Sequence, residues 1–351
     1  MQYAKISNQF KYFCGGDIHS DKSYFNVVDQ TGKVVLKKNL PNNFALLKDF
    51  LNPVMGDVAI GVESNYNYYW IADGCAKEDI PFYLGHAYYM KAIAANKNKT
   101  DSIDAKTIAH LMRANLFPLA YPYPEQMRAV RDLLRRRHYF VRIRSALYTH
   151  TQMTMHQQGV HSFKHSLLRD KTEREFIIDH FDNNIVQQNI TTDLNFVKYL
   201  DKEIEILEKT ISEQVKLQKH TEYALLTTIP GVGLMTALNI IYETHDISRF
   251  KTHQKFASYC RVVKPERVSN GVKKKSGNPK MGNPYLKWAF GQILHSARNA
   301  SEPIDKHYLK LERKSGKKKA RAIMAHKFNT TAYFMLKNGN AFDMKQFLNT
   351  N

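Results

Sequence analysis

The run Val58-Ala-Ile-Gly-Val62, closed at either end by Asp57 and Glu63, restricts the fold more than any other stretch. Successive side chains of a strand point to opposite faces, so an unbroken apolar run predicts a strand covered on both of them. The neighbouring sequence supplies the rest of a sheet. Lys11 to Asp17, Ser23 to Asp29 and Lys33 to Asn39 are short β-prone runs. The last two are joined by the turn Gln30-Thr31-Gly32, which predicts an antiparallel meander. A helix from about Asn43 to Leu51 precedes the apolar strand. After it come an aromatic helix near Tyr66 to Ala76, a strand around Phe82 to Gly85, and a helix starting near Asp101.

Three strands in a meander followed by α/β alternation is the order of a ribonuclease H-like fold, and on that scheme four acids fall at telling places. Asp17 closes the first strand and Glu63 the apolar one, so both carboxylates are expected at the carboxyl ends of adjacent strands, where open α/β sheets carry their sites. Asp101 and Asp104 share one helix face. Thr100 or Asp101 can cap that helix, while Ile103, Ile108, Leu111 and Met112 form its apolar face. Lys97, Lys99 and Lys106 flank the pair. Four converging carboxylates suit Mg²⁺ or Mn²⁺, and two such ions can clamp the attacking and leaving oxygens of a phosphodiester. Taken singly, Asp17 is more simply a turn residue, Glu63 a helix-capping acid, and Asp101 with Asp104 a complement to the helix dipole.

Lys and Arg total 52 against 32 Asp and Glu, a net charge of +20. A surplus of that size points to a polyanion, nucleic acid first and an anionic membrane surface second. No apolar run is long enough to span a bilayer, and Met-Gln-Tyr-Ala-Lys at the start lacks a signal-peptide pattern, so a soluble protein in a cytoplasmic location is expected. Cys14, Cys75 and Cys260 are far apart and form no Cys-x-x-Cys, which argues against a disulfide framework or zinc knuckle.

The expected organisation is α/β plus α: an N-terminal domain over 1–122, a helical region over 123–220, and a mostly helical C-terminal domain over 221–351. Past the proline-rich break at Pro118 to Pro124, Gln126 to Gln158 reads as one helix carrying Arg128, Arg131, Arg135, Arg136, Arg137, Arg142 and Arg144. With no matching acids nearby it can track a phosphate backbone, or present a solvated charged face. His161 and His165 have metal-pair spacing but no third ligand motif, and read as ordinary surface or RNA-proximal histidines. Val197, Leu200, Ile204, Leu207 and Ile211 form a short heptad seam that can pack on the arginine-rich helix or pair two protomers. Ile229-Pro-Gly-Val-Gly233 fits a helix-hairpin-helix, with Gly231 and Gly233 at a turn whose backbone N–H groups can bind phosphate, or a plain helix connection. After a helix near His253 to Arg261, Lys264 to Pro284 reads as a flexible basic loop with Lys273, Lys274, Lys275 and Lys280. Helices are expected at Tyr285 to Asn299 and Arg321 to Leu336, with the basic patch Lys317 to Arg321 between them.

Asp17, Glu63 and the run Asn98-Lys-Thr-Asp-Ser-Ile-Asp-Ala-Lys106 resemble the DEDD tetrad of the insertion sequence 110 family of transposases, relatives of the Piv-type DNA invertases. The resemblance covers nearly the whole chain. It implies a RuvC-like N-terminal domain, a coiled coil used in dimer assembly, and a C-terminal domain with a nucleophilic serine. Ser269 is the residue matched to that serine, with Lys280-Met-Gly-Asn283 and Leu286-Lys287 downstream, and Ser276 is the alternate. The resemblance further implies a composite site with the tetrad of one protomer facing the serine of another, and a 5′- or 3′-phosphoserine link to DNA. Its expected partners are target and donor DNA, a noncoding bridge-type guide RNA, and a second or further copies of the chain in a dimer or tetramer. The competing expectations are a metal-dependent RuvC-like endonuclease or junction resolvase without a covalent intermediate, and a noncatalytic nucleic-acid-binding protein.

Overall fold

The computed structural model describes residues 5–93, 100–161, 166–215, 220–264, 267–269, 272–274 and 281–349. The chain forms two compact units, Met1–Glu125 and Gln126–Asn351.

The first unit is built on strands β1 (Tyr12–Ile18), β2 (Lys22–Asp29), β3 (Val34–Pro41), β4 (Val58–Glu63) and β5 (Phe82–Gly85), with helices α1 (Phe44–Leu51), α2 (Tyr69–Lys77), α3 (Ala87–Ile93) and α4 (Asp101–Arg113). The strand order is β3-β2-β1-β4-β5. The first three strands pair antiparallel, and β1, β4 and β5 run parallel. This is the mixed five-stranded sheet with helices that a ribonuclease H-like fold requires. Both faces are covered, as the apolar run requires: Cys14, Phe25, Ile60 and Val62 enter one core cluster, while Phe13, Val28 and Ala59 enter another with Ile108, Ala109 and Met112 of α4. The three cysteines are buried and unbridged.

The second unit opens with a long antiparallel pair, α5 (Glu125–Gln157) and α6 (Asn184–Val215). At 33 and 32 residues, each helix is about 50 Å long. The seam Val197, Leu200, Ile204 and Ile211 is buried within the chain. One end of the pair packs around Tyr148, Met155, Ile190 and Val197. At the other end, Met127, Val130, Leu134, Ile211 and Val215 join the same core as the C-terminal helices. Those are α7 (His220–Thr227), α8 (Leu234–Thr244), α9 (His253–Tyr259), α10 (Pro284–Ala300), α11 (Glu302–Ser315), α12 (Lys317–Asn338) and α13 (Met344–Asn349). A hairpin of β6 (Arg267–Ser269) and β7 (Val272–Lys274) lies between α9 and α10. Two expectations for this region need correction: α11 was not foreseen, and Lys317 to Arg321 is the opening of α12 rather than a link between helices. No helix among the described residues is long and apolar enough to cross a membrane.

Candidate active site

The alternation of strand side chains brings the strand acids to one place. Gly15 and Asp17 share one face of β1, and Gly61 and Glu63 share one face of β4. The register pairs Gly15 with Gly61 and Gly16 with Val62, which sets Asp17 beside Glu63 at the carboxyl ends of adjacent parallel strands. Helix α4 lies on that same face. A Cβ on Gly15 would overlap the carbonyl oxygen of Ala105 and come within 2.5 Å of the Ala109 nitrogen, and one on Gly61 would overlap the Met112 sulfur. The glycine pair is therefore a cradle that lets α4 lie directly on the sheet.

The start of α4 follows from its sequence. Thr100 is the N-cap, its hydroxyl accepting from the Ile103 N–H, and Asp101 and Asp104 occupy the first turn. Residues 97–99, including Lys97, Asn98 and Lys99, lie outside the described residues. The other three acids all act on Asp17. Burial raises its carboxyl above the ordinary 3.8; His19 opposes that shift, and Asp104, Asp101 and Glu63 reinforce it. Like charges felt at one carboxyl are the condition under which a cation is worth binding. Oxygen donors from four carboxylates fit a hard divalent ion.

Sequence reasoning missed His19. Its Nε2 lies 3.3 Å from Asp17 Oδ2 and 3.4 Å from Asp101 Oδ1. Ligand atoms of Asp17, His19 and Asp101 all fall within 4.8 Å of one another, making them a group that can hold a metal ion. The available signal was spacing, since two residues past a strand-end acid returns to the same face.

In the second unit, Ser269 ends β6, paired with Val272 across the hairpin, and Lys273 and Lys274 lie on β7. Ser276, Lys275 and Lys280 lie outside the described residues, as does His165. The missed signal for the hairpin was Asn270-Gly271 between two β-prone pairs. Gly231 has φ 75°, and a Cβ there would stand 2.5 Å from the Ser296 backbone of α10. Gly233 is the N-cap of α8 without a side-chain cap. Close packing on α10 is thus a sufficient reason for Gly231, whatever else the turn binds.

The expectation that the arginines of α5 lack matching acids is corrected. Glu243, 1% exposed, receives Arg135 Nε at 2.6 Å and Arg131 Nε at 3.1 Å. Arg137 pairs with Glu208 and Arg144 with Asp201, both on α6, and Arg128 is buried. Arg136 and Arg142 remain on the exposed face. Burial would raise the Glu243 carboxyl, but Arg135, Arg131 and the Asn283 amide outweigh it and hold the group below its usual range. Asn283 also caps α10, its Oδ1 accepting from Tyr285 and Leu286. One buried carboxylate therefore ties the arginine helix to the residue that ends the basic loop.

Two family models match the chain. Residues 14–162 match a model described as "Transposase", of the DEDD type, and residues 223–310 match "Transposase IS116/IS110/IS902 family". The first spans all four acids and the second spans Gly231, Ser269 and Asn283. Among curated proteins, the putative transposase y4qE of Sinorhizobium fredii is 27% identical over 250 residues, 68% of this chain and 58% of that protein. A 43.6 kDa protein of insertion element IS110 in Streptomyces coelicolor is 27% identical over 131 residues, 37% of this chain and 32% of that protein. The matched stretches span less than two thirds of either relative.

Proposed function

Because the chain belongs to the IS110 family of transposases, with a DEDD-type domain at its N-terminus, we infer that it cleaves and rejoins DNA strands through a serine nucleophile. What supports this reading is the strand register that sets Asp17 beside Glu63, with Asp101 at the start of α4 close enough to Asp17 to share a metal ion. The acids would hold Mg²⁺ or Mn²⁺, which when bound supplies Lewis-acid stabilisation of charge on a phosphodiester.

The remaining chemistry belongs to the chain. A serine hydroxyl is a weak nucleophile at neutral pH and needs its proton taken. The Ser269 Oγ forms an ester bond to phosphorus as one P–O bond of the DNA breaks. A tetrad carboxylate supplied by another copy of the chain accepts the serine proton, and the departing sugar oxygen takes a proton from water as it leaves. Attack by a hydroxyl of a second strand on the phosphoserine reverses these changes, so no external energy source is needed. Lys273 and Lys274, with Lys275 and Lys280, bind the phosphate; Gly231, Gly233 and the exposed Arg136 contact backbone. The partners in this reading are target and donor DNA, a noncoding guide RNA from the same element, and further copies of the chain in a dimer or tetramer, in the bacterial cytosol.

The test is a search for a denaturant-stable protein–DNA adduct after incubating protein and its RNA with labelled DNA and Mg²⁺. Wild type should form the adduct, as should Ser276→Ala, whereas Ser269→Ala and Asp104→Asn should not. An adduct that persists in Ser269→Ala and is lost in Ser276→Ala moves the nucleophile to Ser276. Cleavage with no adduct in any variant means a metal-only nuclease instead.

A further inference from the structure

We propose that His19 is a nitrogen ligand of the metal centre, shared between the end of β1 and the start of α4, and that it biases the centre toward transition-metal ions over Mg²⁺. The proposal rests on the reading of the four acids as a metal site and adds a residue to it.

Three asparagines from two segments, Asn42 after β3 and Asn65 and Asn67 after β4, fix the backbone that carries the imidazole. The His19 carbonyl accepts from Asn42 Nδ2 and from Asn67 Nδ2, each at 2.8 Å. Ile18 O accepts from Asn65 Nδ2 at 2.8 Å, and Ser20 O from Asn42 Nδ2 at 2.9 Å. Asn42 is itself oriented, its Oδ1 accepting from Ser23 Oγ at 2.6 Å, and Asn65 Oδ1 accepts from the Asn67 N–H. An ion pair on the surface requires none of this, since exposed pairs contribute little and ask for no fixed geometry. A ligand held to a fraction of an ångström does require it.

The distances agree with ligation. Donors about 2.1 Å from one ion are about 3.0 Å apart at an octahedral edge and about 3.4 Å apart at a tetrahedral one. The Nε2 separations of 3.3 and 3.4 Å from Asp17 and Asp101 lie in or at that range. The imidazole nitrogen bridges two carboxylates, one from each element, so a single ion between them would tie the strand end to α4. The consequence is selectivity. Carboxylate and water suit Mg²⁺ and Mn²⁺, whereas an imidazole donor adds affinity for Co²⁺, Ni²⁺ or Zn²⁺ and little for Mg²⁺.

The full-length chain, without nucleic acid, would be titrated with Co²⁺ by visible absorption and with Mg²⁺ by calorimetry, for wild type, His19→Ala, His19→Gln and Asp17→Asn. Mn²⁺-loaded samples would be read by electron spin-echo modulation from nitrogen. His19→Ala should weaken Co²⁺ about tenfold or more while changing Mg²⁺ by less than about threefold. It should also abolish the nitrogen modulation seen in wild type. Equal changes for both ions, or modulation that persists in His19→Ala, would overturn the assignment of His19. If Asp17→Asn loses both ions while His19→Ala and His19→Gln keep wild-type ratios, the acids remain a metal site and only His19 is excluded. If Asp17→Asn binds both ions as wild type does, the metal-site reading fails and His19 with it.

Discussion

At Asp17, the proposed metal-binding role and stability pull in opposite directions. Burial and three neighbouring carboxylates raise its proton affinity, so the ionised form is disfavoured in the folded chain relative to the unfolded one. The sign follows from linkage: a raised carboxyl costs stability at pH values above its folded value. The cost is relieved as pH falls, and is gone below the ordinary 3.8. Asp17→Asn should therefore raise the thermal midpoint of the metal-free chain at pH 7, with the gain shrinking as the buffer is taken down toward pH 3.8. Divalent ions should then raise the wild-type midpoint and leave the variant's unmoved, because only binding to the folded state stabilises. A lower midpoint for Asp17→Asn at pH 7 would mean that Asp17 is structural and that its charge is already compensated. The four acids were legible because each sits at a recognisable end of a strand or helix. His19 was not, because its importance comes from Asp101, which is remote in sequence and adjacent only after α4 has docked.

Elements determine whether those residues meet at all, and the contact that matters most is α4 on β1 and β4. The sequence pattern showed that α4 would be a helix with acids at its start; it did not show why the helix can lie so close. The reason is the register pair Gly15 and Gly61, whose missing side chains leave room for Ala105, Ala109 and Met112. Gly15→Ala should cost about 1–3 kcal/mol in urea unfolding, as overpacking against backbone does. It should also weaken metal binding, since α4 must lift to accommodate the new methyl. Gly291→Ala on α10 is the control: a Cβ there meets nothing within 4 Å, and helix propensity alone should make it neutral or stabilising by up to about 1 kcal/mol. In the second unit, the corresponding contact was hidden from the sequence by distance. Arg135 and Glu243 are 108 residues apart, so arginines that look unmatched along α5 find their acids on α6 and α8. Removing the charge with Glu243→Gln leaves Arg131 and Arg135 around a buried neutral group, and should cost about 3–5 kcal/mol. Because the Glu243 carboxyl is held low, its contribution is present above its ordinary 4.5 and is lost as pH falls through its folded value. Stability of the variant, measured by denaturant titration at several pH values, should consequently fall less steeply in acid than that of wild type.

Across the whole chain, the surplus of 20 positive charges has to be divided between cations already paired and cations available to a polyanion. Pairing removes much of α5 from the second group, because Arg131, Arg135, Arg137 and Arg144 are engaged by Glu243, Glu208 and Asp201. Lys317, Lys318, Lys319 and Arg321 belong to the other group. They are exposed, and they open α12, where no acid occupies the first turn. Cations at a helix N-terminus are opposed by the helix dipole, so this arrangement weakens the isolated helix end and favours an anion held there. Each phosphate neutralised by a protein cation releases counterion, and the logarithm of affinity then falls with the logarithm of salt by about 0.9 per contact on duplex DNA. Replacing Lys317, Lys318 and Lys319 together with Gln should accordingly lower that slope by about 2–3 and weaken DNA binding without regard to sequence. Co²⁺ and Mg²⁺ affinities, which the proposal assigns to Asp17, His19 and the three further acids, should stay at wild-type values in the same protein. A slope that does not change would show that these lysines face solvent in the complex as they do in the free chain. The DNA track would then have to be sought among Arg136, Arg142 and the lysines of the serine-bearing loop, whose single substitutions should each lower the slope by about 1.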